Sequence, residues 1–378
     1  MKNFGALAFL ATISVGSVVL FGCGGGGGGS TTGTTGTTAG TTAGTTAGTT
    51  AGTTAGTTAG STAGTTAGST AGSTAGSTAG STAGSTAGST GGGIAAGTIV
   101  VVTTNAGTSS LVSMSDMAGA GWTVTSPVAT GTTIGGIATN SLNEIIFTAS
   151  SGSPVNLRST LGGTSQVLGN FTAGTGALNF VTPNRVTTDS NNRILTSDTG
   201  RKNVSRFDGI TATTGTQIDL GALTFTSGPV AYDPSDRLYV LNPSNKWLLR
   251  YDSIDGSGLS SFTWTDSSLI GFKNPQDIFI DGGGKIYIAD TDNNRIGRMD
   301  NLAGVGFRTF GALGSGVGQF NKPSAVWVDA AGRIYVADTG NNRIVRMDSM
   351  SGLNWTEISV QPGGSGTLSS PTDIMVVE

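Results

Sequence analysis

The 378-residue chain contains no histidine, one cysteine and only three glutamates: Glu144, Glu357 and Glu378. Lack of histidine excludes Ser-His-Asp and Cys-His catalysis and the usual zinc ligands. The lone Cys23 cannot close an intramolecular disulfide. Acid–base or metal chemistry therefore falls mainly to aspartate. Charge is scarce too: 11% of residues are charged and the net charge is −3. Nucleic acid would call for a basic face, so no nucleic-acid partner is expected. The scarcity is also uneven, because no charged residue lies between Lys2 and Asp116.

Within that uncharged stretch, Lys2 supplies a positive start and FGALAFLATISVGSVVLF, residues 4–21, an apolar run. A run of that length fits either a short membrane span or a signal-peptide core. Its ending decides: Leu20-Phe21-Gly22-Cys23 resembles the lipobox of bacterial lipoproteins. The resemblance implies removal of residues 1–22 and lipidation of Cys23, which becomes an anchor in the cell envelope. Several acyl chains hold far better than one, at about 0.8 kcal/mol per buried CH₂. By the family's sorting rule, Gly24 after the cysteine implies the outer membrane.

Residues 23–93 consist of a glycine run followed by TTG, TTAG and STAG units, with no aromatic residue and no charge. Such a segment buries too little apolar surface to offset chain entropy, so a disordered tether is expected. As a flexible coil its mean span is roughly 45–50 Å.

The remainder, 94–378, is repetitive. GRIYVADTGNNRIVRMD, from Gly332 to Asp348, has a near-copy in GKIYIADTDNNRIGRMD, from Gly284 to Asp300. Each is preceded by P-x-x-Φ-x-Φ-D, with Φ apolar: PSAVWVD and PQDIFID. The frame recurs in PNRVTTD from Pro183 and SGPVAYD from Ser227. Polar anchors follow at fixed offsets (Asp198, Asn242, Asp290, Asp338), and then arginines (Arg206, Arg250, Arg298, Arg346). Short β-branched runs separated by Gly, Asp and Asn turns read as strands in hairpins. Four strands per unit at this period are the signature of a propeller blade. A degenerate unit starts at Ile134. A final unit is split between PTDIMVV at the C-terminus and GTIVVVTT from Gly97.

P-x-x-V-x-V-D, G-x-I-Y-V-A-D and N-N-R-I-V-R resemble the NHL repeat. The expected fold is all-β: a six-bladed β-propeller of four-stranded blades over 94–378, following the disordered linker. The C-terminal strand is expected to close the N-terminal blade.

Residues that recur in every blade are expected to hold the blade together: Asp189, Asp233, Asp281 and Asp329 at strand-ending turns, and Asp290, Asp338, Arg298 and Arg346 in inter-strand bonds. Site candidates are residues that differ between blades at one loop position. Two places past each unit start stand Asp373, Gly136, Arg185, Pro229, Asp277 and Ala325. Asp277, Asp373 and Arg185 are thus candidate ligand-binding residues at a channel mouth, where they could hold a cation or a polar ligand.

Propeller enzymes are the rival class. Gluconolactonase-type and strictosidine-synthase-type propellers use a channel glutamate, and lyase relatives use histidine. This chain has no histidine, and its three glutamates are expected in a hairpin turn, an outer strand and the chain end. No catalytic residue, metal ligand or cofactor is assigned; an aspartate-based calcium site is the one alternative the composition leaves. The expected function is a monomeric, membrane-anchored module that binds a protein or glycan.

Overall fold

The computed structural model describes residues 93–150, 155–168, 180–212, 214–220, 228–265, 270–364 and 366–378. Cys23 and the Thr-Ala-Gly tract lie outside the described residues. Among the described residues, no helix is long and apolar enough to cross a membrane.

Six four-stranded antiparallel sheets are arranged as blades around one axis. Blade one combines the C-terminal strand Pro371–Val376 with Ile99–Asn105, Thr108–Met114 and Thr123–Thr125. Blades two to six follow in chain order, and their inner strands are Ile134–Thr139, Pro183–Thr188, Val230–Tyr232, Asp277–Ile280 and Pro323–Val328. The expected closure is present. Ile99 pairs with Val376, Val101 with Ile374 and Val102 with Asp373, so the C-terminal strand is innermost in the first blade. Closing the ring in this way leaves no inner strand without a neighbouring blade.

A sheet packed on both faces needs apolar residues at consecutive positions. The run Ile99-Val100-Val101-Val102 meets that need. Ile99 and Val101 pack toward blade six, with Ala325, Tyr335 and Ile344. Val100 and Val102 pack toward blade two, with Ile134, Ile145 and Phe147. Each of the other four interfaces between neighbouring blades has a corresponding cluster.

The recurring polar residues are structural, as expected. At the turns after the inner strands of blades three to six, one aspartate oxygen accepts backbone N–H bonds. Asp189 takes those of Asn191 and Arg193, Asp233 those of Ser235 and Arg237, and Asp281 those of Gly283 and Lys285. Asp329 takes that of Arg333, and its other oxygen takes Arg333 Nε. Asp290 and Asp338 are fully buried and pair across strands with Arg295 and Arg343. Arg298 and Arg346 lie at the opposite end of that strand, where they face Asp300 and Asp348 instead. At the Asp290 and Asp338 end, the turns DTDNN and DTGNN place Asn294 and Asn342 in the left-handed region, both at φ 54. Asparagine tolerates that conformation better than most side chains.

Candidate ligand-binding channel

Around the axis the six inner strands run side by side, each starting at one face of the disc and ending at the other. Side chains two apart on a strand share a face. The second residue past each unit start therefore lies close to the strand's beginning, and the fourth lies above it toward the far face.

The three candidates from the sequence come together at the lower level. Arg185 of blade three extends across the axis to the opposite wall. Its Nη1 lies 2.8 Å from Asp373 Oδ2, and its Nη2 lies 3.8 Å from Asp277 Oδ1. Nη2 also donates to the carbonyls of Gln276, at 3.0 Å, and Ser324, at 3.3 Å. These partners belong to blades five, six and one. The guanidinium thus bridges three blades and bars this end of the channel.

Small neighbours leave room for it. A Cβ added at Gly136 would lie 3.2 Å from Arg185 Cδ, and Ala325 occupies the same level in blade six. The two acids play matching parts in their own blades. Asp277 Oδ2 accepts the N–H of Val326 at 3.0 Å, and Asp373 Oδ2 that of Ile137 at 2.9 Å. Each acid therefore ties its blade to the next one round the ring.

The three residues are not solvated charges spaced around a mouth, which is the ordinary state of isolated charges there. Arg185, Asp277 and Asp373 are all buried. Two carboxylates against one guanidinium leave one negative charge in excess. Burial pushes Asp277 up to about 7; Arg185 pulls it down, while Asp373 adds to the rise. Burial also raises Asp373, against the opposing pull of Arg185. Burial opposes the charge on Arg185, yet Asp373 and Asp277 hold its pKa above the ordinary value. Asp373 has the closer ion pair, so the excess charge belongs chiefly to Asp277.

Above this floor a cavity of about 250 Å³ opens into a funnel of about 680 Å³ at the far face. Tyr232, Phe279 and Trp327, from three consecutive blades, line both spaces, and Glu378 stands with them. The Phe279 and Trp327 ring centroids are 4.6 Å apart. Trp327 Nε1 is buried without a hydrogen-bond partner. Burial, with Asp189 nearby, pushes the Tyr232 hydroxyl up to about 12, so it remains a neutral donor. Sequence reasoning missed this aromatic arc. For Phe279 and Trp327 a signal was present, because the fourth unit position reads Thr187, Ala231, Phe279 and Trp327 in blades three to six and so varies as the second does, whereas Tyr232 stands one place later.

Residues 320–347 match the NHL repeat. That segment holds the inner three strands of blade six, the unit whose motifs are most regular. Curated proteins give no match. Solved structures do. A protein of unknown function from Bacteroides caccae aligns at a TM-score of 0.54 and 13% identity, over 75% of this chain and 100% of its own. A chain of a nidogen/laminin complex aligns at 0.56 and 14%, over 75% and 99%. A streptogramin B lyase aligns at 0.45 and 12%, over 60% and 68%. At these identities the likeness of the first two is one of fold, and it agrees with an NHL-type six-bladed propeller.

Proposed function

We propose that the chain is a lipid-anchored protein of the bacterial cell envelope whose propeller is a non-catalytic binding module for a protein or glycan. The anchor rests on the lipobox ending at Cys23, and Gly24 favours the outer membrane. The observation that carries the binding reading is the one-ended funnel. Arg185 bars its lower end, three aromatic residues line its wall, and it opens on the far face. Such a space, apolar in part and supplied with a few polar groups, is what a binding site requires.

Two of the three glutamates that a hydrolytic or lyase reaction could draw on are committed elsewhere, and the third, Glu378, lines the funnel. Glu144 accepts from Asn140 in the turn after the inner strand of blade two. Glu357 pairs with Arg343 on an outer strand. The calcium alternative would place a dication between Asp277 and Asp373, where the Arg185 guanidinium already lies. Calcium also takes about six to eight oxygen ligands.

Gly282 sits on the funnel rim, with nothing within 4 Å of an added Cβ. A photo-crosslinking side chain there should trap a defined envelope component in cells, and one at the exposed outer-edge residue Ser261 should not. Ala330→Trp, an exposed position on the same rim, should block that capture without changing the melting temperature. Equal capture from both positions, or capture undiminished by Ala330→Trp, would refute the funnel as the binding site.

A further inference from the structure

The floor of the channel has a charge and a shape that specify a chemical group. We infer that the group recognised there is an organic monocation, an alkylammonium or quaternary ammonium centre, that passes through the funnel and rests against Asp277 beneath Phe279 and Trp327. This inference rests on the binding-module reading and gives its ligand a chemistry.

Charge is the first argument. Arg185 neutralises one carboxylate, and Asp373 holds it at 2.8 Å. The Gln276 and Ser324 carbonyls tether Nη2 at the lower end, so it cannot swing toward Asp277 without losing two hydrogen bonds. Asp277 accepts the N–H of Val326 at Oδ2 and is also hydrogen-bonded to the Ile278 backbone, but its only counter-charge is the Arg185 guanidinium, 3.8 Å from Oδ1. Above pH 7, where Asp277 is ionised, the uncompensated charge is therefore single and localised, and it borders the cavity. A monocation neutralises it. A divalent ion would leave an excess of positive charge beside the guanidinium, and an anion would meet Asp277 on the floor and Glu378 above.

Shape is the second, independent argument. Two residues of strand rise separate the carboxylate from the aromatic level, roughly 7 Å. A compact ammonium group between the two levels contacts both. Aromatic rings attract cations within about 6 Å of their centroids, most strongly when water is excluded. The tilted Phe279–Trp327 pair and the nearby Tyr232 provide those rings. A hydrated inorganic cation gains less from such walls than an alkylated one whose carbon surface they cover.

The test is a titration of the detergent-solubilised full-length protein with tetramethylammonium, butylamine and, as uncharged counterpart, tert-butanol. Binding is followed by calorimetry and by tryptophan fluorescence. The cations should saturate and tert-butanol should bind at least tenfold more weakly. Asp277→Asn, which keeps an acceptor for the Val326 N–H, should weaken the cations at least tenfold, and Trp327→Phe should weaken them several-fold. Should Asp277→Asn fail to fold, Phe279→Leu serves as the second variant with the same expected direction. A lysine tripeptide compared with its side-chain-acetylated form tells whether a partner chain can present the ammonium; discrimination between the two supports the inference as butylamine binding does. Equal affinity for tert-butanol, or affinity unchanged in Asp277→Asn, would overturn it. If no cation or lysine peptide binds while Gly282 still traps a defined component, the monocation is refuted and the binding-module reading stands. If the trap fails as well, both fall.

Discussion

Replacing Arg185 by methionine tests the description of the channel floor most directly. The change keeps most of the side-chain length and removes the guanidinium. Lost with it are the 2.8 Å ion pair to Asp373, the 3.8 Å contact with Asp277 and two hydrogen bonds to carbonyls. Two buried carboxylates would then face each other without a counter-charge. Removing one partner of a buried pair costs about 3–5 kcal/mol, a large part of the about 5–15 kcal/mol that stabilises a typical domain. In a propeller of this size the corresponding fall in melting temperature is roughly 10 °C.

The loss should depend on pH, and its sign follows from linkage. In the wild type, burial raises Asp277 to about 7 in the folded state, above its unfolded value. That group therefore contributes most below its unfolded pKa, and its contribution is lost as pH rises toward 7. Without Arg185 both acids shift further upward, so the loss becomes steeper and extends to higher pH. Urea unfolding of both proteins at pH 5 and pH 8 should give a small difference at the lower pH and a large one at the higher. Asp277→Asn in the Arg185→Met background should recover part of the deficit at pH 8. A cost below about 1 kcal/mol at both pH values, or the same cost at both, would mean that the arginine is effectively solvated and the floor is not closed as described.

Other outcomes follow from other parts of the chain. Truncation before Pro371 removes the inner strand of blade one and with it the buried Ile374, Met375, Val376 and Val377. At about 1.5–3 kcal/mol for each buried side chain, the product should be insoluble or lack a cooperative transition in calorimetry, and a well-folded product would contradict the closure. Gly135→Ala places a Cβ 2.3 Å from the Asn184 carbonyl oxygen of the neighbouring blade; overpacking of this kind costs about 1–3 kcal/mol, measurable as a lower urea midpoint. Mass spectrometry of the membrane-bound protein should find a diacylglyceryl group on Cys23 as the first residue, and an intact Met1 would refute the anchor. Deleting 24–92 should leave the melting temperature unchanged, whereas a clear drop would mean that the tract packs on the propeller.

Much of the architecture was legible because a propeller repeats itself. The fixed spacing from Asp281 to Asp290 to Arg298, copied in Asp329, Asp338 and Arg346, reports a unit that packs against copies of itself. Such packing demands the same residue at the same place in each blade. The split unit was legible for a related reason: GTIVVVTT and PTDIMVV each lack what the other supplies, and the strand pairing of Ile99 with Val376 joins them. Even the choice of Asp277, Asp373 and Arg185 followed from asking where the repeat is broken.

Tertiary structure alone decided what those three residues do. The sequence places one residue on each blade but says nothing about the reach of a side chain across the axis. That reach depends on the channel radius, on the small Gly136 and Ala325 at the same level, and on carbonyls from Gln276 and Ser324 that are far away in the chain. The same holds for the aromatic arc. Tyr232, Phe279 and Trp327 each read locally as ordinary strand residues, and they face one cavity only because ring closure brings three blades to a common axis. Strand identity is set by local pattern and hydrogen-bonding needs, which a sequence carries. The charge excess beside Asp277 is set by distances among parts of the chain 92 to 188 residues apart, and only the closed ring fixes those.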